Sequence, residues 1–342
     1  MTHRGYSSEF ADRLFEQIKG FGGYGFPESH SASFAILAYI SAWFKCHHPA
    51  AFYVGLLNSQ PMGFYTPSQL IQDAKRHGIQ FLPIDVNHSR WDHELLPTPD
   101  QGQPPVRLGF RLIKGLSEAS AKRLVEARQS NRFQTLADFR QRTGLNKADL
   151  EALASADALQ SISGNRYQSQ WHVMGLEPDR PLLRNEATLY EKRRNSDVSV
   201  TPPSVAEDVL ADYQTTGLTL RAHPLALLRD KTPFKQCRRQ SELHQLGNHR
   251  FVRIAGLVTC RQRPGTASGV VFLTLEDETG NHNVIVWPRV QENFREALMT
   301  AQLLLVKGTL EARDGVMHVI AGSLHDYSAS LQSLTIQSRD FH

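Results

Sequence analysis

The sequence predicts a multidomain α+β chain, helical through its first two thirds and closing in a five-stranded β-barrel. Three observations carry this reading. Apolar stretches at helical spacing, punctuated by glycine and proline, recur from residue 7 to residue 159. Between residues 106 and 159 the pattern is helix, short turn, helix, repeated. From residue 251 five short alternating runs follow, with a helical stretch between the third and fourth. At 342 residues the chain has room for two or three domains of roughly 100–200 residues each. We divide it at 1–104 (helical), 105–160 (helical hairpins), 161–248 (linker and connecting helices), 249–325 (barrel) and 326–342 (tail).

The elements follow in order. Phe10, Leu14, Phe15 and Ile18 form one stripe, so residues 7–20 read as an amphipathic helix. Gly22, Gly23 and Gly25 come next, and each would cost ~1 kcal/mol inside a helix, so they predict a tight loop. Tyr24, Ser29 and His30 sit where that loop enters the next helix, beside its free backbone N–H groups. Residues 30–45 are apolar nearly all round, which predicts a helix buried on several sides. Pro49 opens another helix, Thr66-Pro67 a further one, and Gly78 closes that behind Lys75 and Arg76. Residues 79–86 read as extended and residues 92–105 as a polar, proline-bearing connection.

Composition narrows the class. Apolar residues make up 40% and charged residues 21%, as in globular proteins with packed cores. No apolar run approaches the ~20 residues that span a bilayer, and the N-terminus has no export signal pattern. Cys46, Cys237 and Cys260 are too scattered for a disulfide framework, so we expect a reducing, cytoplasmic location. The net charge of +4 is mild, but residues 105–150 hold ten Lys/Arg against four acids, an excess of +6. That imbalance predicts a phosphate-facing surface.

Leu112-Ile113-Lys114-Gly115-Leu116-Ser117 precedes a helix through Arg128, Thr135 caps one toward Arg142, and Asn146 starts the last. This resembles tandem helix-hairpin-helix motifs, whose glycine hairpins offer backbone N–H groups to a DNA phosphate. Gly115 stands at the first glycine position and Ser117 replaces the second; with Lys114, Lys122 and Arg123 they form the expected duplex-phosphate site. The same turn also fits an ordinary helix–helix connection. Lys192-Arg193-Arg194 through Pro203 reads as a partly ordered linker, and Gly217 to Leu225 as a packing segment with a structural His223.

The last module reads as strands at 251–258, 270–275 and 283–287, a helix at 290–298, then strands at 303–310 and 316–320. Five strands with that helix placement are the pattern of an OB-fold, which binds oligonucleotides across strands 2 and 3 and the 1–2 and 4–5 loops. The first loop offers Arg261 and Arg263, the second Arg313. Phe272 and Trp287 lie on the relevant strands, and strand parity leaves open whether they stack on bases or fill the barrel.

The run from Gly22 to Ala50 resembles the fingers region of bacterial C-family DNA polymerases, the group of the polymerase III alpha subunit. Gly25-Phe26-Pro27-Glu28-Ser29-His30, residues 43–52 and residues 57–65 are most similar to its error-prone, damage-inducible branch. The resemblance continues through residues 217–225 and 269–280 to about Gly322. It implies a nucleotidyltransferase of translesion synthesis and DNA repair. Tyr24, Ser29 and His30 would lie near the template or nucleotide, and primed-template and single-stranded DNA would be the partners. Accessory translesion proteins are expected too. Direct sliding-clamp binding is not supported, because residues 170–174 match the expected clamp motif poorly.

In that family Mg2+ is held by palm acids N-terminal to the fingers. We identify no catalytic and no metal-ligating residues here, so this chain alone is expected to be inactive and to bind no cofactor. Glu276-Asp277-Glu278 falls in a hairpin turn, and Cys46, His47 and His48 point apart on one helix. Two alternatives stay open: a stand-alone DNA-binding module and a scaffold for translesion proteins.

Overall fold

Capping chemistry sets the helix boundaries. The computed structural model describes residues 7–22, 28–63, 65–97, 102–176, 199–265, 268–313 and 316–332. Four helices come first: α1 (Ser8–Gly22), α2 (Glu28–His47), α3 (Pro49–Asn58) and α4 (Pro67–Arg76). Proline opens α3 and α4, and Thr66 forms a capping box with Gln69. The connection that follows is more ordered than its polar sequence predicts. Strands β1 (Phe81–Leu82), β2 (Glu94–Leu95) and β3 (Val106–Arg107) form a small sheet, with β1 parallel and β2 antiparallel to the central β3.

Helices α5 (Glu118–Arg128), α6 (Leu136–Thr143) and α7 (Lys147–Ser155) start at the side-chain caps Ser117, Thr135 and Asn146. After α8 (Gln160–Ser163), Asn165 caps α9 (Arg166–Met174) and Ser204 caps α10 (Val205–Thr215). One hydrophobic core joins α3 to α9 with β1 and β3, from Ala50 and Tyr53 through Phe110, Phe133 and Phe139 to Leu218.

An ionic cluster fixes α10 against this core. Arg166 is 1% exposed and lies between Asp208 (3.0 Å) and Asp212. Arg221 reaches Asp212 at 2.7 Å and Asp157 at 2.6 Å. Buried pairs of this kind fix geometry more than they add stability.

The expectation that residues 30–45 are buried is not met. On α2 the side chains of Phe34, Ile36, Leu37, Tyr39, Ile40, Trp43 and Phe44 are exposed. The helix is apolar on every side, but nothing among the described residues lies over most of it. Among the described residues no helix is long and apolar enough to cross a membrane. Tyr24 and the glycine loop lie outside the described residues, as do residues 177–198 of the expected linker.

Helices α11 (Pro224–Leu228) and α12 (Gln240–Leu243) lead into the barrel. Its parts are β4 (Phe251–Gln262), β5 (Val271–Glu276), β6 (Asn281–Val286), α13 (Pro288–Asn293), α14 (Arg295–Thr300), β7 (Leu303–Arg313) and β8 (Val316–Asp326). It closes in the order β4-β5-β6-β8-β7, with β6 and β8 parallel. Period 2 sends Val271, Leu273 and Leu275 into the core and Phe272 outward. The outer side of β4 and β7 is covered at Ala255, Leu303 and Leu305 by Leu225, Leu228 and Phe234 of the connecting segment, and the short α15 (Ser328–Gln332) follows β8.

Candidate nucleic-acid interface

The barrel's second and third strands present an outward aromatic pair. Phe272 is 37% exposed, turned outward by strand parity, and Trp287, at the N-cap of α13 just past β6, is 52% exposed, so both rings face away from the core. Phe272 stands opposite Gln262 on β4 and Ile285 on β6. Beside them a groove of about 610 Å³ is lined by Arg261, Gln262, Arg263, Gln291 and Arg295, with Glu292 its one acidic lining residue. Gln291 holds the loop base to β6 by donating to the carbonyls of Gly269 and Val286, both at 2.8 Å.

The two expected arginines of the first loop differ. Arg261 donates to the Leu298 carbonyl at 2.7 Å and to the Ala301 carbonyl, so its guanidinium caps the C-terminal end of α14. Arg263 is exposed and has no hydrogen bond or ion pair among the described residues. Arg289 and Arg295, on the helices after Trp287, are equally exposed and unpaired there. Sequence reasoning missed both; the only signal was their place just beyond an aromatic that ends strand 3. Arg313 pairs through its backbone with Val316, while its side chain, Asp314 and Gly315 lie outside the described residues.

The helical hairpin differs from the expected site in which side chains it offers. Gly115 adopts φ +86°, a conformation that favours glycine. The N–H groups of Gly115 and Ser117 have no acceptor among the described residues, whereas Lys114 N–H donates to the Thr215 carbonyl at 2.9 Å. The Ser117 hydroxyl accepts from Ser120 N–H at 3.1 Å and donates to the Ser120 hydroxyl, so it caps α5. Lys114 Nζ donates to the Gln214 carbonyl at 2.8 Å, tying the hairpin to the end of α10. Lys122 pairs with Glu118 at 2.8 Å, and Arg123 lies 3.9 Å from Asp149.

The wider basic excess is likewise structural in large part. Arg107, Arg111, Arg128 and Arg142 donate to backbone carbonyls of Pro83, Asn58, Val86 and Ala127. These cations satisfy chain ends and loops inside the fold, where composition counts them as surface charge. What the hairpin leaves available is backbone N–H.

At the expected fingers site, Ser29 is the second residue of α2, and its side chain lies outside the described residues. His30 is exposed, with its ring 4.7 Å from that of Phe34.

The acidic hairpin turn does not fit a divalent metal. Asp277 Oδ1 accepts from Thr279 N–H, Thr279 Oγ1 and Gly280 N–H, and Oδ2 from Gln240 N–H and His282 Nε2, all within 2.9 Å. Burial alone would raise its pKa, but the hydrogen bonds from His282 and Thr279 and the imidazole charge outweigh that and hold it well below the usual carboxylate range. Glu278 receives Arg229 and Arg239 at 2.7 and 3.0 Å. The turn therefore anchors the connecting segment to the barrel. Among the described residues no group of three or more His, Cys, Asp or Glu is placed to hold a metal.

Known proteins share both modules. The helix-hairpin-helix motif family matches residues 78–169, and the OB-fold nucleic acid binding domain family matches residues 252–327. Along the full chain, the Error-prone DNA polymerase of Teredinibacter turnerae is 54% identical over 351 residues. Over its whole length the chain is thus similar to the C-terminal third of error-prone DNA polymerases. It covers 34% of that relative and 33% of the Error-prone DNA polymerase of Saccharophagus degradans, to which it is 55% identical over 345 residues. The Error-prone DNA polymerase of Pseudomonas paraeruginosa is 50% identical over 342 residues, with 33% of its length covered. The chain thus spans about a third of the length of the curated error-prone DNA polymerases it matches.

Proposed function

We propose that this chain is the DNA-gripping portion of an error-prone DNA polymerase and that bond making is left to metal-holding acids outside it. In the intact enzyme the activity is nucleotidyl transfer onto a primer across damaged template. A single strand runs over β5 and β6: Trp287 and Phe272 stack on bases, while Arg263, Arg289 and Arg295 neutralise phosphates. Arg261 holds α14 in place behind this face. The Gly115 and Ser117 N–H groups take a phosphate of the primed duplex, and Lys114 keeps the hairpin fixed to α10. Tyr24, Ser29 and His30 belong to the part of the fingers that faces template or nucleotide. Accessory translesion proteins recruit the enzyme.

The observation that carries this reading is the outward rings of Phe272 and Trp287 beside Arg263, Arg289 and Arg295, which form no ion pair among the described residues. Stacking is worth ~1–3 kcal/mol per base, so Trp287→Ala in the 342-residue chain weakens single-strand binding about 5- to 150-fold. Gly115→Val weakens primed-duplex binding and leaves single-strand binding intact. Fluorescence anisotropy with each DNA checks both; a Trp287→Ala chain that binds the single strand like wild type contradicts the reading.

A further inference from the structure

A second basic and aromatic groove lies at the other end of β4. It encloses about 550 Å³ and is lined by Arg238, Arg250, Phe251 and Arg253, with Gln236 at its side. Phe251 is 65% exposed although it sits on a barrel strand. Its neighbours Val252 and Ile254 point into the core, so period 2 holds Phe251 and Arg253 on the outer surface. The connecting segment packs apolar side chains over that surface at Ala255 and runs along the edge of β4 at Arg253. There Arg238 N–H donates to the Arg253 carbonyl at 2.7 Å, but the segment leaves the Arg253 side chain exposed. One guanidinium nitrogen of Arg253 donates to Gln236, and Arg250 has no side-chain partner among the described residues.

The charge arrangement points to an anion. Arg253 is directly opposite Lys307 on β7, and Phe251 is opposite Thr309, so both pairs share the outer face. Like charges directly opposite in a sheet are destabilising. Neither Arg253 nor Lys307 has a carboxylate partner among the described residues. The adjoining acids are Glu242, 3.7 Å from Arg238, and Glu311, two residues beyond Thr309. Positive charge around an exposed ring is the combination that holds single-stranded nucleic acid, with phosphates on arginine and a base on the aromatic face. Duplex DNA offers no free base face to such a ring.

We propose that Arg250, Phe251 and Arg253 form a second single-stranded DNA contact on the barrel, ten residues or about 30 Å along β4 from the Arg263 loop. This rests on the reading of the barrel as a single-strand binder and extends the strand's path around it. Sequence alone gave no hint, because these residues lie on strand 1, outside the strands and loops OB-folds ordinarily use.

The test uses the 342-residue chain and a thymidine oligomer of about 40 nucleotides, several times the 4–16 that one OB-fold site covers. Phe251→Ala weakens binding at least about five-fold, and Phe251→Trp restores it. Arg250→Ala with Arg253→Ala reduces the slope of log K against log salt by about 1.4. Wild-type affinity and slope in these variants overturn the proposal. A measurement without substitutions guards against misfolding: photocrosslinking wild type to an iodouracil-substituted oligomer yields an adduct on the Phe251 peptide. Crosslinks confined to the Phe272 and Trp287 peptides overturn the proposal and leave the β5–β6 reading standing. Crosslinks at Phe251 alone do the reverse.

Discussion

Arg261 and Arg263 are two residues apart and serve different ends. The first donates to carbonyls at the close of α14; the second has no such partner among the described residues. Arg261→Ala should therefore lower barrel stability by about 1–2 kcal/mol and leave the salt dependence of DNA binding unchanged. Arg263→Ala should leave the melting temperature unchanged and reduce the salt slope by about 0.7. Thermal melting and a salt titration separate the two, and a reversed pattern contradicts the assignment. Sequence could name both arginines but not divide them, because the carbonyls that engage Arg261 arrive from a helix nearly forty residues later. Lys114 carries the same lesson: it was legible as a hairpin cation, but its acceptors belong to α10.

Short elements depend on single side chains, and His93 beside β2 is one of them. It is buried, its Nδ1 accepts from Gly109 N–H at 3.1 Å, and its Nε2 has no partner among the described residues. A Cβ on Gly109 would lie 2.3 Å from the Trp91 carbonyl oxygen, so the backbone must approach closely there. Burial, then the charge of Arg111, pushes the His93 pKa down to about 4. Folding thus favours the neutral ring. The stabilisation is full above pH ~6.5, falls as the unfolded chain protonates, and is lost by about pH 4. At most roughly 3 kcal/mol is involved. His93→Gln should flatten the pH dependence of the melting temperature in that window relative to wild type; an unchanged curve contradicts the assignment. Of the small sheet around His93, the sequence showed only the extended run of β1; β2 and β3 escaped it because two-residue strands carry no period. The barrel strands and α3 to α7 were legible because their caps and alternation extend over many residues.

At the scale of the molecule, α2 stands out. A contiguous apolar surface of this kind marks an interaction site. In isolation the 342-residue chain should self-associate through it. Leu37→Glu with Trp43→Glu should shift sedimentation toward monomer at unchanged barrel stability; a wild-type chain that is monomeric at micromolar concentration contradicts this. Apolar periodicity announced the helix but not its exposure, since the same residues suit a buried core or an uncovered interface. The reading of the fingers loop rests on resemblance, because Tyr24 lies outside the described residues.

Binding of a single-stranded oligonucleotide as a function of salt tests most directly whether this chain grips the sugar-phosphate backbone. Contacts from Arg263, Arg289 and Arg295 release counterions, so log K should fall against log salt with a slope of about −2 or steeper. A flat slope, or binding that strengthens with salt, would contradict the account.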